Sequence, residues 1–548
     1  MPSFIYAPRR HLLTVTKMKR TYVVIAAIVI IAIIAVSVGY YYYTPTTAPI
    51  TPKQYPTIVL GTTLDVAVNL DPGVDYNVGV LNLNNIVFDP LYEAAPGIYP
   101  DLILKPRLAA DNPVVSPDGL HWTIPLRQGV KFQDGTPFNA TAVKFSFDRL
   151  KTVQSYSAWI LDSVDSVDVV DTYTVQYNLK YPNAALEGAL TMAVAAPVSP
   201  SAVQNMGVQN FGALPVGTGP FKYVEWQKGD HVTLAPFEGY WNQSRVPKVR
   251  LVYKIFTDSA AMKLALEKGD IDIAWDYLAT TDYQSMLTNP NLKSAIAAEG
   301  YIVWLTLNDG IAGSPLENVH VRKAIELSVD QKEISDKVYH GVYPPDEDTP
   351  FLPGFYPKPS WNQYKPTDPT QAKALLTDAG YPNGIDVNLY FTPVSYGKEI
   401  PDVAALLQEQ LAKSGIRLKL NSVEAATFVK NFRAGNYEMA IGIMSPDYPD
   451  PDNVASFIAS STGSYSKRVR LNDTMLDQLV QQGVSTTDPA QRAKIYGDLQ
   501  DRLADLAVYV PLVHQNNYWF YRPTAVTGVM SYYFQYSPWW TLDKPAST

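Results

Sequence analysis

Few side chains in this 548-residue chain are spaced so as to do chemistry together, and the most suggestive lie in one short run. Met444-Ser445-Pro446-Asp447-Tyr448-Pro449-Asp450-Pro451-Asp452 sets three carboxylates among three prolines. A carboxylate offers charge-assisted hydrogen bonds to a cationic group, about twice as strong as neutral ones. The same acids could suggest calcium, but their spacing is not that of an EF-hand loop. Asp is also common in turns, so Asp450 and Asp452 read as turn and cap residues, and a turn role stays open for Asp447. Elsewhere the material is thin. There is no cysteine and there are six scattered histidines, which excludes disulfides and thiolate metal sites. No His-Glu-x-x-His, Gly-x-Ser-x-Gly or Gly-x-x-x-x-Gly-Lys-Ser/Thr sequence occurs, so hydrolytic and nucleotide chemistry lack their usual parts. The chain reads as a non-enzyme with no cofactor.

The elements that must position this run are legible around it. Val387–Phe391 alternates like a strand, and Val403, Leu406, Leu407 and Leu411 form a helical stripe ended by Gly415. Ile416, Leu418 and Leu420 alternate again. Phe428, Val429 and Phe432 mark a second helix, and Tyr437–Met444 is a buried strand. Strand–helix–strand–helix–strand implies parallel pairing with right-handed crossovers. Ligands of such sheets bind beyond the carboxyl ends of the strands, and Ser445–Asp450 follows one such end. Upstream, Asp368-Pro369 opens a helix that Gly380 closes, and Asp330 with Glu333 caps a helix closed by Gly341.

The N-terminus carries a different signal. Thr21 to Pro52 holds no charge, and Tyr22–Tyr43 is almost wholly apolar. About 20 such residues span a hydrocarbon core. Arg9, Arg10, Lys17, Lys19 and Arg20 precede the span and no acid occurs before Asp65, which places the body outside the cell. A retained single-pass anchor at the cell membrane is expected. A cleaved signal peptide, processing after Arg20 and a start at Met18 rather than Met1 are the alternatives. Thr44–Thr57 is a Thr/Pro linker. The formal net charge of −8 becomes more negative once those five cations are set aside, which argues against nucleic acid as a partner. Sequons at Asn139, Asn242 and Asn472 are candidate glycosylation sites on an exported chain.

From Leu70 onward several segments occur in a telling order. Leu70-Asp71-Pro72 is followed by Ser116-Pro117-Asp118-Gly119-Leu120, then by Leu126–Phe132 and Asp134-Gly135-Thr136-Pro137-Phe138. Val216–Phe221, Gly239-Tyr240-Trp241, Gly269–Asp272, Asn318–Ile334, Pro449–Asn453 and Val510-Pro511-Leu512 come after them. Over nearly all of Thr57–Thr548 this resembles the oligopeptide- and dipeptide-binding family of extracellular solute receptors (family 5), in a form that looks archaeal or thermophilic. The resemblance implies an α/β, three-lobed periplasmic-binding-protein-like clamp: a discontinuous lobe at 57–88, 213–303 and 516–548, an inserted lobe at 89–212, and a third lobe at 304–515. Ahead of it lie the basic N-terminus (1–21), the apolar span (22–43) and the linker (44–56). It further implies a monomer that passes peptide to a two-permease, two-ATPase importer.

By the same resemblance Asp447 takes the ligand's α-ammonium, with Met444, Ser445 and Tyr448 around it. Met444 stands where the family usually has Trp. Asp75, Tyr76, Asn77 and Val78 match a ligand-facing loop, a hinge-side turn being the competing role. Trp304 and His514 lie where the chain crosses between lobes, with core packing as the competing role. Asp134-Gly135 reads as a hairpin turn. Oligosaccharide is the alternative ligand on the same fold, given ten Trp and 37 Tyr.

Overall fold

The computed structural model describes residues 53–64, 69–75, 77–94, 104–153, 156–275, 278–345, 351, 367–393, 397–530 and 538–545. The apolar span 22–43, the basic N-terminus 1–21, linker residues 44–52 and Tyr76 lie outside them. No helix among the described residues is long and apolar enough to cross a membrane.

Ten strands form one mixed sheet. Its order is Ile416–Ser422, Ile385–Phe391, Met439–Met444, Lys293–Leu307, Tyr509–Tyr521, Ile273–Trp275, Thr57–Thr62, Arg250–Ile255, His231–Pro236 and Phe221–Gln227. The sequence expectation for 387–452 holds in its elements: helices Ile400–Ala412 and Ala425–Arg433 separate three strands, and Ile385–Phe391 pairs parallel with both others. Asp368 caps helix Pro369–Asp378 through the Thr370 and Gln371 amides, and Gly380 beyond it takes φ +91°. Asp330 accepts the Glu333 amide at 2.8 Å, but the Glu333 carboxylate bonds Lys337 and Gln410 rather than closing a capping box.

Two long strands in the middle, Lys293–Leu307 and Tyr509–Tyr521, run through the whole molecule. Their pairing breaks register between Ala298↔Asn516 and Ile302↔His514, so three residues face Gln515 alone. Extra residues in one strand bend it locally. Side-chain alternation then divides the cores. Leu512, Tyr518 and Phe520 with Val303, Leu305 and Leu307 enter one continuous core beneath helices carrying Leu266, Ile325 and Leu407. The opposite face is divided among separate cores. Trp304, Met444 and Tyr509 belong to one, Trp275 and Trp519 to another.

Residues 89–212 contain a separate four-stranded antiparallel sheet, ordered Val114–Val115, His121–Pro125, Thr174–Leu179, Val164–Asp171. Helix Ala140–Val153 covers it around its own core. The hallmark segments act as staples between this unit and the large sheet. Asp89, fully buried, pairs with Arg107 at 2.5 Å and accepts from the Tyr240 hydroxyl (3.2 Å) and Trp241 Nε1 (2.8 Å). Gln133 donates to the carbonyls of Val87, Gly219 and Phe221 and accepts the Gly217 amide. The Asp134-Gly135 pair is a turn, as expected: Gly135 has φ +85° and Asp134 accepts from Thr136 and Ser199.

Candidate ligand site

Met439–Met444 reads Met-Ala-Ile-Gly-Ile-Met and pairs antiparallel with Ile302–Leu307. Pro446, Pro449 and Pro451 then stop the ladder, since proline supplies no amide, and the chain turns off the sheet. Met444 pairs with Ile302, and Ile302 pairs with His514 on its other side. The strand end that launches the Asp447 loop is therefore level with the register break in the two long strands.

Within the loop the side chains part company. Asp447 is half-buried and its amide donates to Asn453 Oδ1 at 2.6 Å. Ser445 donates its hydroxyl to the Pro446 carbonyl at 3.3 Å. Met444, 1% exposed, points into the core with Trp304, Val454 and Tyr509. Tyr448 goes elsewhere: 5% exposed, it enters the core beside the four-stranded sheet, its ring centroid 6.3 Å from that of Trp159. Burial, followed by Asp452 and Asp450, holds its hydroxyl well above the usual tyrosine range.

Asp450 behaves as the cap residue expected, while Asp452 lies within the helix it begins. Asp450 caps helix Pro451–Ile458 through the Asp452 amide and forms a two-pronged pair with Arg492 at 2.8 and 2.7 Å. Asp452 accepts from the Tyr496 hydroxyl at 3.3 Å. Burial first, and Asp450 second, push its carboxyl up to about 7, with Arg492 pulling the other way. Arg492 and Asn453 were missed by sequence reasoning. Arg492 sits in a polar stretch of helix Pro489–Leu506 with nothing local to mark it.

The first loop is occupied with its own helix. Asp75 accepts the Asn77 amide (3.1 Å) and side chain (2.8 Å), and Asn77 caps Val78–Val87 by accepting the Val80 amide at 3.0 Å. Val78 is half-buried against the core of Val80, Leu83 and Trp275. Nearby Asp71 is ion-paired with Arg149 and accepts the Gly73 amide at 2.9 Å.

At the crossing, Trp304 is fully buried, stacked on Tyr509 at 4.7 Å and edge-on to Tyr465 at 5.3 Å. Such pairs add about 0.5–1.5 kcal/mol beyond area burial, so its packing is accounted for. His514 is half-buried and its amide donates to the Pro344 carbonyl at 3.0 Å. The structure thus brings Met444, His514 and the Asp447 loop to one level of the sheet, with Trp304 two residues along the strand, and sends Tyr448 away from it. Among the sequons, Asn139 and Asn242 spend their side-chain oxygens capping the turns that follow, while Asn472 is exposed.

The description of the bacterial extracellular solute-binding proteins, family 5, matches residues 104–466. The glutathione-binding protein GsiB of Salmonella typhi is 27% identical over 448 residues, covering 79% of this chain and 84% of the relative. Among solved structures, HbpA2 from Haemophilus parasuis superposes with a TM-score of 0.76 at 26% identity, covering 89% of this chain and 100% of that one. The binding protein AgaA of A. tumefaciens R10, solved with agropinic acid, gives 0.72 at 25%, covering 90% and 99%.

Proposed function

This chain belongs to the family 5 bacterial extracellular solute-binding proteins, and from that premise we propose that it captures peptide-class ligands outside the cell for an ABC importer. The observation that carries the reading is Asp447, a half-buried carboxylate on the loop leaving the Met439–Met444 strand, level with the crossing of the two long strands. A ligand ammonium paired with Asp447 gains a charge-assisted bond. Ser445 lies beside it in sequence. The likeness to a glutathione-binding protein supports a small peptide over a free sugar.

In this reading the halves of the large sheet, 57–88 with 213–303 and 516–548 on one side and 304–515 on the other, are the lobes that close on ligand. The loop Asp75–Val78 faces the ligand through its backbone, since its Asp and Asn side chains are spent on the helix cap. Ligand shifts the open–closed balance only by its differential affinity for the closed form. The apolar stretch 22–43 tethers the body to the membrane, and the partner ATPases supply the energy.

A thermal-shift screen of the chain against glutathione, di- to hexapeptides and oligosaccharides tests this. Ligand at 100 times its Kd adds about 2.7 kcal/mol of stability. Peptide shifts that shrink in Asp447→Ala, with an affinity loss of about 1.5–3 kcal/mol, are expected. Shifts with sugars alone would overturn the peptide assignment and keep the receptor.

A further inference from the structure

Gln515 lies at one of two places where the pairing of the two long strands loses register, between Asn516 opposite Ala298 and His514 opposite Ile302. Along this strand Val510, Leu512, Val513, Tyr518 and Phe520 enter the continuous core. Tyr509 and Trp519 lie in separate cores, and Asn517 accepts from Trp275 Nε1 at 2.7 Å. Gln515 adjoins His514, whose partner Ile302 pairs with Met444, so it stands level with the strand end that launches the Asp447 loop. It is 4% exposed, and its Oε1 is sealed from solvent without a hydrogen-bond partner among the described residues. A buried polar group left unpaired is costly, and the great majority find partners. Turning the amide over only exchanges which atom is stranded.

We propose that Gln515 is a ligand-reading side chain whose amide hydrogen-bonds a main-chain amide of the bound ligand, at the level of the sheet where the Asp447 loop begins. This rests on the peptide-receptor reading above. An amide both donates and accepts, so a peptide group answers it in either orientation. The residue adds a contact that the Asp447 ammonium site does not supply: it senses the ligand backbone where the sheet bends, so closing on ligand and satisfying Gln515 occur at the same place.

The test compares the full chain with its Gln515→Leu and Gln515→Met variants. Thermal unfolding is measured without additive, and titrations use reduced glutathione, tri-alanine and maltotriose. Without ligand, both variants are expected to melt at or above wild type, because an unpaired buried amide has been replaced by an apolar side chain. Affinity for the peptide that wild type binds should fall about fivefold to tenfold, the loss of one neutral hydrogen bond. A lower melting temperature in both variants overturns the proposal, since the amide would then be satisfied within the fold. Unchanged peptide affinity overturns it as well. Wild type that binds maltotriose alone, or no probe, instead sinks the peptide reading on which the proposal rests, and it does so before any variant is measured.

Discussion

At the residue scale, the acids behind the Asp447 loop divide by partner. Asp450 pairs with Arg492, and Asp452 accepts from the Tyr496 hydroxyl, with all of them buried. Removing one member of a buried ion pair leaves the other charge stranded, so Arg492→Leu should cost about 3–5 kcal/mol in denaturant unfolding. Asp452 works in the opposite direction. Its carboxyl is held near 7 in the fold against 3.8 ordinarily, so the folded chain binds that proton more tightly than the unfolded one. Its contribution to stability is complete below about pH 4 and is lost as pH rises through 7. Asp452→Asn should therefore raise the melting temperature at pH 8 and leave it nearly unchanged at pH 4. A drop at pH 8 would mean that Asp452 is ionised, held by Arg492 and the start of its helix.

At the scale of elements, glycines in the Val216–Phe221 segment set how closely helix Val78–Val87 and this segment approach. A Cβ on Gly217 would lie 2.3 Å from the Val87 carbonyl, and one on Gly219 would lie 2.6 Å from that of Ile86. Both obstacles are backbone atoms, and Gln133 holds the first of them, the Val87 carbonyl, together with the Gly219 carbonyl. Gly217→Ala should lower stability by at least about 2 kcal/mol, read in urea unfolding, because overpacking with no soft neighbour forces a backbone shift. An unaffected midpoint would show that the two segments can separate without loss. These elements were legible where periodicity and punctuation were strong: the strands and helices from 385 to 444, the Asp368 cap and the Asp134-Gly135 turn. Pairing was less so. That Met439–Met444 runs parallel to one neighbour and antiparallel to the other depends on a strand more than a hundred residues away.

At the scale of the whole molecule, the loop that carries Asp447 packs against the four-stranded sheet. Tyr448 lies in the core beside that sheet, Gly188 lies against Tyr448 and Asp450, and the Ala184 amide donates to the Val484 carbonyl at 2.7 Å. Tyr448→Ala should cost about 3–5 kcal/mol, as for other buried aromatics, and should hasten proteolysis around that sheet. Unchanged stability with weakened peptide binding would instead return Tyr448 to the ligand. The division of labour follows from the range of each cause. Sequence alone determined what acts locally: the absence of thiols, the helix caps, the strand–helix alternation, the family and the loop after Met444. Only the tertiary structure decided which side chains of that loop share a space. Tyr448 sits between prolines with no periodicity to fix its face, Arg492 reaches Asp450 from 42 positions away, and Gln515 lies within an ordinary strand. Their surroundings come from chain segments distant in sequence, brought together only when the cores close, and no local pattern encodes that meeting.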